Sequence, residues 1–143
     1  MLIKAKAVAE LLGGSKILGI EISDWSALER VVASRLPSGT LEHLLERICL
    51  RNEQEYDCDR AEFGNYSARS GYLSVSESLK LETIARTYAF TLEVWGDESK
   101  ARLFFHRPHP MLEGLSPFQA SLSESGAKQV EIILGHILFG IFA

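Results

Sequence analysis

The sequence predicts an all-α protein. Apolar residues recur at helical spacing through most of its 143 residues. Ser, Asp, Gly and Pro stand where helices start and stop. The one stretch with strand character has nothing evident to pair with.

Val8, Leu11 and Leu12 give a short first helix, closed by Gly13-Gly14. Lys16 to Ile22 reads as a short extended piece. Asp24 caps a helix carrying Leu28, Val31 and Val32 on one side, and Pro37 ends that region. Ser38 then starts a helix with the stripe Leu41, Leu44, Leu45 and Ile48. Residues 51–72 are polar and carry only a weak stripe. Ser74 to Glu77 has the capping-box pattern, in which serine and glutamate each satisfy a free amide of the first turn. The long helix after it shows Leu81, Ile84, Ala85, Tyr88, Leu92 and Trp95 on one face and ends at Gly96. Asp97 caps the next helix, which holds Lys100, Ala101, Leu103 and Phe104 and stops before Pro108. A turn, HRPHPMLEGL, follows, and Ser116-Pro117 reads as N-cap plus first helical proline. The last helix runs from about Glu124 to the C-terminus.

Bulk composition bounds the function. Apolar residues make up 46% and charged residues 24%, ordinary for a globular chain. A net charge of -4 argues against a surface that binds phosphate all round. Cys49 and Cys58 match no zinc or redox spacing and point to a reducing compartment. No apolar run approaches the roughly 20 residues that span a bilayer. The N-terminal MLIKAKAVAELLGG reads as an amphipathic helix, not a signal peptide. The expected location is the cytoplasm.

Catalytic and metal chemistry find little support. His106 and His109 form an H-x-x-H pair, but Pro108 and Pro110 put it on a turn with no third ligand, so no metal is expected. Nucleophile elbow, GxGxxG and P-loop patterns are absent. The expectation is a non-enzyme without cofactor. Glu42 and Glu46 read as a solvated face, and Trp25 and Trp95 as core.

The final helix has two apolar faces. Ala127, Val130, Ile133, Leu134, Ile137, Leu138 and Ile141 fit the core side of a packed helix. Ile132, Gly135, His136 and Phe139, with Phe142 near the end, do not fit that stripe. Either the helix is buried all round in its own domain, or the second face meets a partner. Gly140 would let the last three residues leave the helix and reach a groove.

Several segments resemble one antitoxin family, known as Xre/MbcA/ParS. They are VAELLGG, RLPSGTLEHLLERI, LSVSES and the stretch from VWGDESKA through the proline-rich turn and GLSP to GAKQVEIILGHILFGIFA. The resemblance covers nearly the whole chain and is strongest from Ser74 onward. It implies an all-α fold with two parts. Residues 1–73 would hold a degenerate Xre-like helix-turn-helix, and residues 74–143 a helical toxin-binding domain. It implies a type II toxin–antitoxin system and a RES-domain toxin that degrades NAD as partner. The end of the chain would obstruct the toxin's active site, through Phe139, Gly140, Ile141, Phe142 and Ala143, with Ile132 and His136 also at the contact. A terminal carboxylate there could meet a cationic group in a pocket built for an anionic nucleotide. A homodimer and autorepression at operator DNA are further expectations of a helix-turn-helix protein.

The chain departs from the family in the middle. Between Arg51 and Glu62, Arg51 and Arg60 face Glu53, Glu55, Asp57, Asp59 and Glu62, a balance that weakens binding to phosphate. Cys58 stands about where the motif's turn carries glycine. Gly64 within the recognition helix costs roughly 1 kcal/mol relative to alanine. The DNA-contact candidates are Arg60, Asn65, Ser67 and Arg69, of which Asn65 suits adenine and Arg69 guanine or phosphate. His136 stands where the family often has arginine. The alternative reading is a helix-turn-helix regulator acting mainly by operator binding.

Overall fold

Residues 3–49, 63 and 71–140 are described by the computed structural model, and among them every regular element is helical. Four short helices come first: α1 (Ala5–Leu11), α2 (Gly14–Leu18), α3 (Trp25–Ala33) and α4 (Gly39–Ile48). The long α5 (Val75–Trp95) follows, then α6 (Glu98–His106), a 3-10 turn (Pro110–Leu112), α7 (Pro117–Ala120) and α8 (Glu124–Leu138). The all-α expectation holds. The only extended pairing among the described residues is one bridge between Pro37 and Tyr72.

Most helix starts follow the caps that the sequence offers. Asp24 accepts from the Ala27 amide at 2.7 Å, and Asp97 from the Lys100 amide at 2.9 Å. Ser74 and Glu77 form the full capping box, at 3.0 and 2.8 Å. Ser116 and Gln119 form a second one ahead of Pro117. Ser38 precedes α4 as read, though its own backbone is helical and its side chain caps nothing. Its amide instead donates to the Gly71 carbonyl at 2.9 Å.

The stretch expected to be extended is not. Gly13 and Gly14 stop α1, but the chain coils again at once into α2, which ends at Gly19 with φ 77°. Without a neighbouring strand, a helical turn is the arrangement that satisfies its backbone groups locally. Both flanks of residues 50–70 are held. Arg35, itself at φ 77°, donates from Nε to the Leu73 carbonyl at 2.7 Å. The Leu73 amide donates to the Leu36 carbonyl at 2.8 Å, and the Leu36 amide to Ser78 Oγ at 2.8 Å.

Helix α5 is the axis of packing. Helices α1, α3 and α4 lie on it from the N-terminal half, and α6 and α8 from the C-terminal half. The main core joins Val8, Leu12, Leu28, Leu44 and Ile48 to Leu81, Ile84, Tyr88 and Phe105, so it draws on residues either side of position 74. Trp25 packs half-buried against it, but Trp95 is 36% exposed and leans on Phe104 instead. Cys49 is disulfide-bonded, against the reading of reduced thiols.

Helix α6 closes the end of α4. Arg102, almost fully buried, donates to the Arg47 carbonyl at 3.5 Å, and His106 Nε2 donates to the Ile48 carbonyl at 2.8 Å. These side chains meet carbonyls that the last helical turn leaves open. Burial pushes the His106 pKa below 6.5; its bond to Ile48 opposes the shift and the Arg102 charge adds to it.

Two predictions follow from this packing. A Cβ on Gly126 would overlap the backbone carbonyl of Ala120, where α8 starts beside α7. Gly126→Ala is expected to destabilise the protein by about 2–3 kcal/mol, the upper part of the overpacking range, as read by chemical denaturation. The second concerns acid. Between its lowered folded pKa and 6.5, His106 binds proton more readily unfolded than folded, so stability falls as pH drops through that window. Glu82, whose pKa burial raises against the pull of Arg86, acts with the opposite sign. The comparison to make is therefore melting temperature against pH, native protein beside His106→Gln. The glutamine keeps a donor for Ile48 and should flatten the acid-side fall; two parallel curves would refute the assignment.

Candidate functional site

The end of α8 is where sequence and structure converge. Ser123 starts the helix by accepting from the Gly126 amide at 3.1 Å. The side chain of Glu124 meets Thr83 Oγ1 at 3.3 Å, and Glu131 pairs with Arg86 at 3.5 Å, both on α5. These contacts fix the rotation of α8, so its two faces have different surroundings.

The inner face is core. Ala127, Val130, Ile133 and Leu134 are buried, and Ile137 packs half-buried beside Val94, Phe104 and Leu112. Among the described residues the outer face stays partly open. Ile132 is 47% exposed and Phe139 75%, with His136 half-buried between them. These three residues share one face at steps of four and three. Ile132 and Phe139 are thus exposed where the inner face is buried.

No Asp, Glu, Lys or Arg occurs from Ile132 to Gly140. The last two turns thus present apolar surface and one imidazole, which suits a protein contact better than chemistry. The helix ends earlier than the sequence suggested. Phe139 is its C-cap, and Gly140 follows with φ 73°. That left-handed geometry suits glycine and turns the chain off the helix axis. Leu138, expected on the core side, is 38% exposed because the neighbouring elements do not reach past Ile137. Gly140 was the available signal for this early stop.

Other expected site residues lie elsewhere. Ile141, Phe142 and Ala143 fall outside the described residues, as do the DNA-contact candidates Arg60, Asn65, Ser67 and Arg69. His106 and His109 are both occupied. His106 serves Ile48, and His109 Nδ1 accepts from the Met111 amide at 3.1 Å, capping the 3-10 turn. Among the described residues no group of three His, Cys, Asp or Glu side chains is placed to hold a metal. Among the described residues no helix is long and apolar enough to cross a membrane.

Residues 92–140 match the family model of the antitoxin Xre/MbcA/ParS C-terminal toxin-binding domain. No curated protein gives a significant match. The matched segment contains the whole outward face of α8.

That face should be dispensable for folding. Phe139→Ser is expected to change unfolding free energy by no more than about 0.5 kcal/mol, since the side chain touches little of its own chain. A loss of several kcal/mol would mean that Phe139 belongs to the core.

Proposed function

From the membership of residues 92–140 in the antitoxin Xre/MbcA/ParS C-terminal toxin-binding family, we propose that this chain is the antitoxin of a type II toxin–antitoxin system. It neutralises a RES-type, NAD-degrading toxin by direct binding, and the action is not enzymatic. The observation that carries the proposal is the uncharged end of α8 from Ile132 on, with Phe139 exposed and Gly140 left-handed directly after it.

The contact is made by Ile132, His136 and Phe139, followed by Gly140, Ile141, Phe142 and Ala143. Apolar side chains give such a contact its affinity by leaving water, at about 25 cal/mol per Å². Residues Phe139–Ala143 obstruct the opening of the toxin's active site, where the terminal carboxylate meets a cation that otherwise serves the nucleotide's phosphates. The division of labour in the chain falls near position 74, with a helix-turn-helix before it and the toxin-binding part after it. A homodimer represses its own operon in the cytoplasm, with Arg60, Asn65, Ser67 and Arg69 toward the operator. The acidic balance of residues 51–62 makes that DNA contact the weaker activity.

The test is rescue of growth in a bacterial host expressing the toxin of the adjoining reading frame. The full-length protein should rescue, and a form lacking Gly140–Ala143 should not. Phe142→Asp should weaken rescue, because it places a charge in an apolar contact. Rescue by the shortened form would move inhibition to the body of the domain, and failure of both forms would refute the antitoxin reading.

A further inference from the structure

A second surface of the same segment remains unaccounted for by the end of α8. We propose that the toxin is also gripped by an aromatic ladder at the α5–α6 corner, formed by Trp95, Phe104 and His109 and ended by Met111. This rests on the antitoxin reading above and adds to it a docking surface separate from the inhibitory end.

The ladder is continuous. The Trp95 and Phe104 rings lie 5.6 Å apart, and the Phe104 and His109 rings 6.2 Å apart. Trp95 is 36% exposed and Met111 52%, while Phe104 and His109 are half-buried. Single exposed apolar side chains are ordinary on any surface. Three rings in sequence with a methionine beside them are a patch, and Trp and Met are residue types enriched where proteins meet.

The patch adjoins the proposed inhibitory end. Phe104 packs in one cluster with Val94, Leu112 and Ile137, and Ile137 is followed directly by the exposed Leu138 and Phe139. A toxin seated on the end of α8 therefore lies beside the ladder. Charge agrees: from Leu103 to Leu112 the only formally charged residue is Arg107. The Phe104–Met111 part of the ladder and the last turns of α8 are thus almost free of charge, while Glu93, Asp97 and Glu98 flank Trp95 in the sequence.

The turn that carries Met111 is built to hold its shape. The His109 amide donates to the Leu115 carbonyl at 3.0 Å, and the Gly114 amide to the His109 carbonyl at 3.1 Å. Between them Glu113 sits at φ 57°, a left-handed conformation that side chains other than glycine rarely adopt. A side chain presented by a pinned turn loses little freedom on binding. The occupant that fits is an uncharged, apolar rim beside the toxin's active-site opening.

The experiment measures the affinity of purified full-length protein for the toxin of the adjoining reading frame by calorimetry, with sedimentation of the antitoxin alone. Met111→Glu and Trp95→Glu should each weaken binding about tenfold or more, by placing a charge in the contact. Met111→Ala should weaken it by a smaller factor. Melting temperatures report folding, and Met111→Ala remains a valid probe if either glutamate variant unfolds. Unchanged affinity in the folded variants, with normal binding by the unsubstituted protein, would overturn the ladder and leave the antitoxin reading intact. A fall in the mass of the antitoxin alone on Met111→Glu would overturn it in favour of self-association. No binding by the unsubstituted protein would overturn the antitoxin reading itself, and the ladder with it.

Discussion

Helix α5 is enclosed on so much of its circumference that the threonines of its middle turns have no water to turn to. It meets the difficulty within itself. Thr83, Thr87 and Thr91, all buried, donate to the carbonyls of Leu79, Thr83 and Thr87 at 3.0, 2.8 and 2.9 Å. An unpaired buried hydroxyl would cost about 1–3 kcal/mol, and each of these bonds removes that penalty without a partner on another helix. Helices from both halves of the chain use the same axis, so the toxin-binding segment does not stand apart from what precedes it.

The second constraint is at helix ends. The last carbonyls of α4 are met by Arg102 and His106 from α6, and Arg47 returns the contact to Glu98 at 2.7 Å. That pair is half-exposed and contributes little by itself. The two donors to backbone carbonyls matter more, because they lie in buried surroundings where an open carbonyl is costly. Together with Arg35, which donates to the Leu73 and Tyr72 carbonyls, they hold described residues on either side of positions 50–70.

Much of this was legible in the sequence, and the exceptions have physical causes. Caps were readable because they depend on one side chain and the next three residues: Asp24, Ser74, Asp97 and Ser116 all cap as expected. The stripe Leu41, Leu44, Leu45 and Ile48 was readable because a surface helix has one apolar side. Ser38 marks the start of α4 as read, with its amide bonded to the Gly71 carbonyl instead of its side chain capping the helix. The burial of α5 was understated: its buried arc contains threonines and Ser78, which periodicity counts as polar. Trp95 was assigned to the core by size, yet it sits in the last turn, where no neighbour closes over it. On α8, the existence of two faces could be read from spacing. Which of them the fold covers could not, because that depends on how Glu124 and Glu131 engage α5.

The division of α8 into two faces separates stability from binding. Burying a side chain the size of Ile133 or Leu134 stabilises a fold by about 1.5–3 kcal/mol. Ile132 and Phe139 supply little of this, since much of their surface stays in water. An exposed Phe next to an exposed Leu is a liability in an isolated chain, because contiguous apolar surface invites association. A helix needing only to seat itself on α5 would serve as well with polar residues at 132 and 139. The outer face and the aromatic corner beside it therefore make physical sense as surfaces completed by another protein. The stretch that connects them, from the end of α5 to Gly140, coincides closely with the segment that matches the toxin-binding domain.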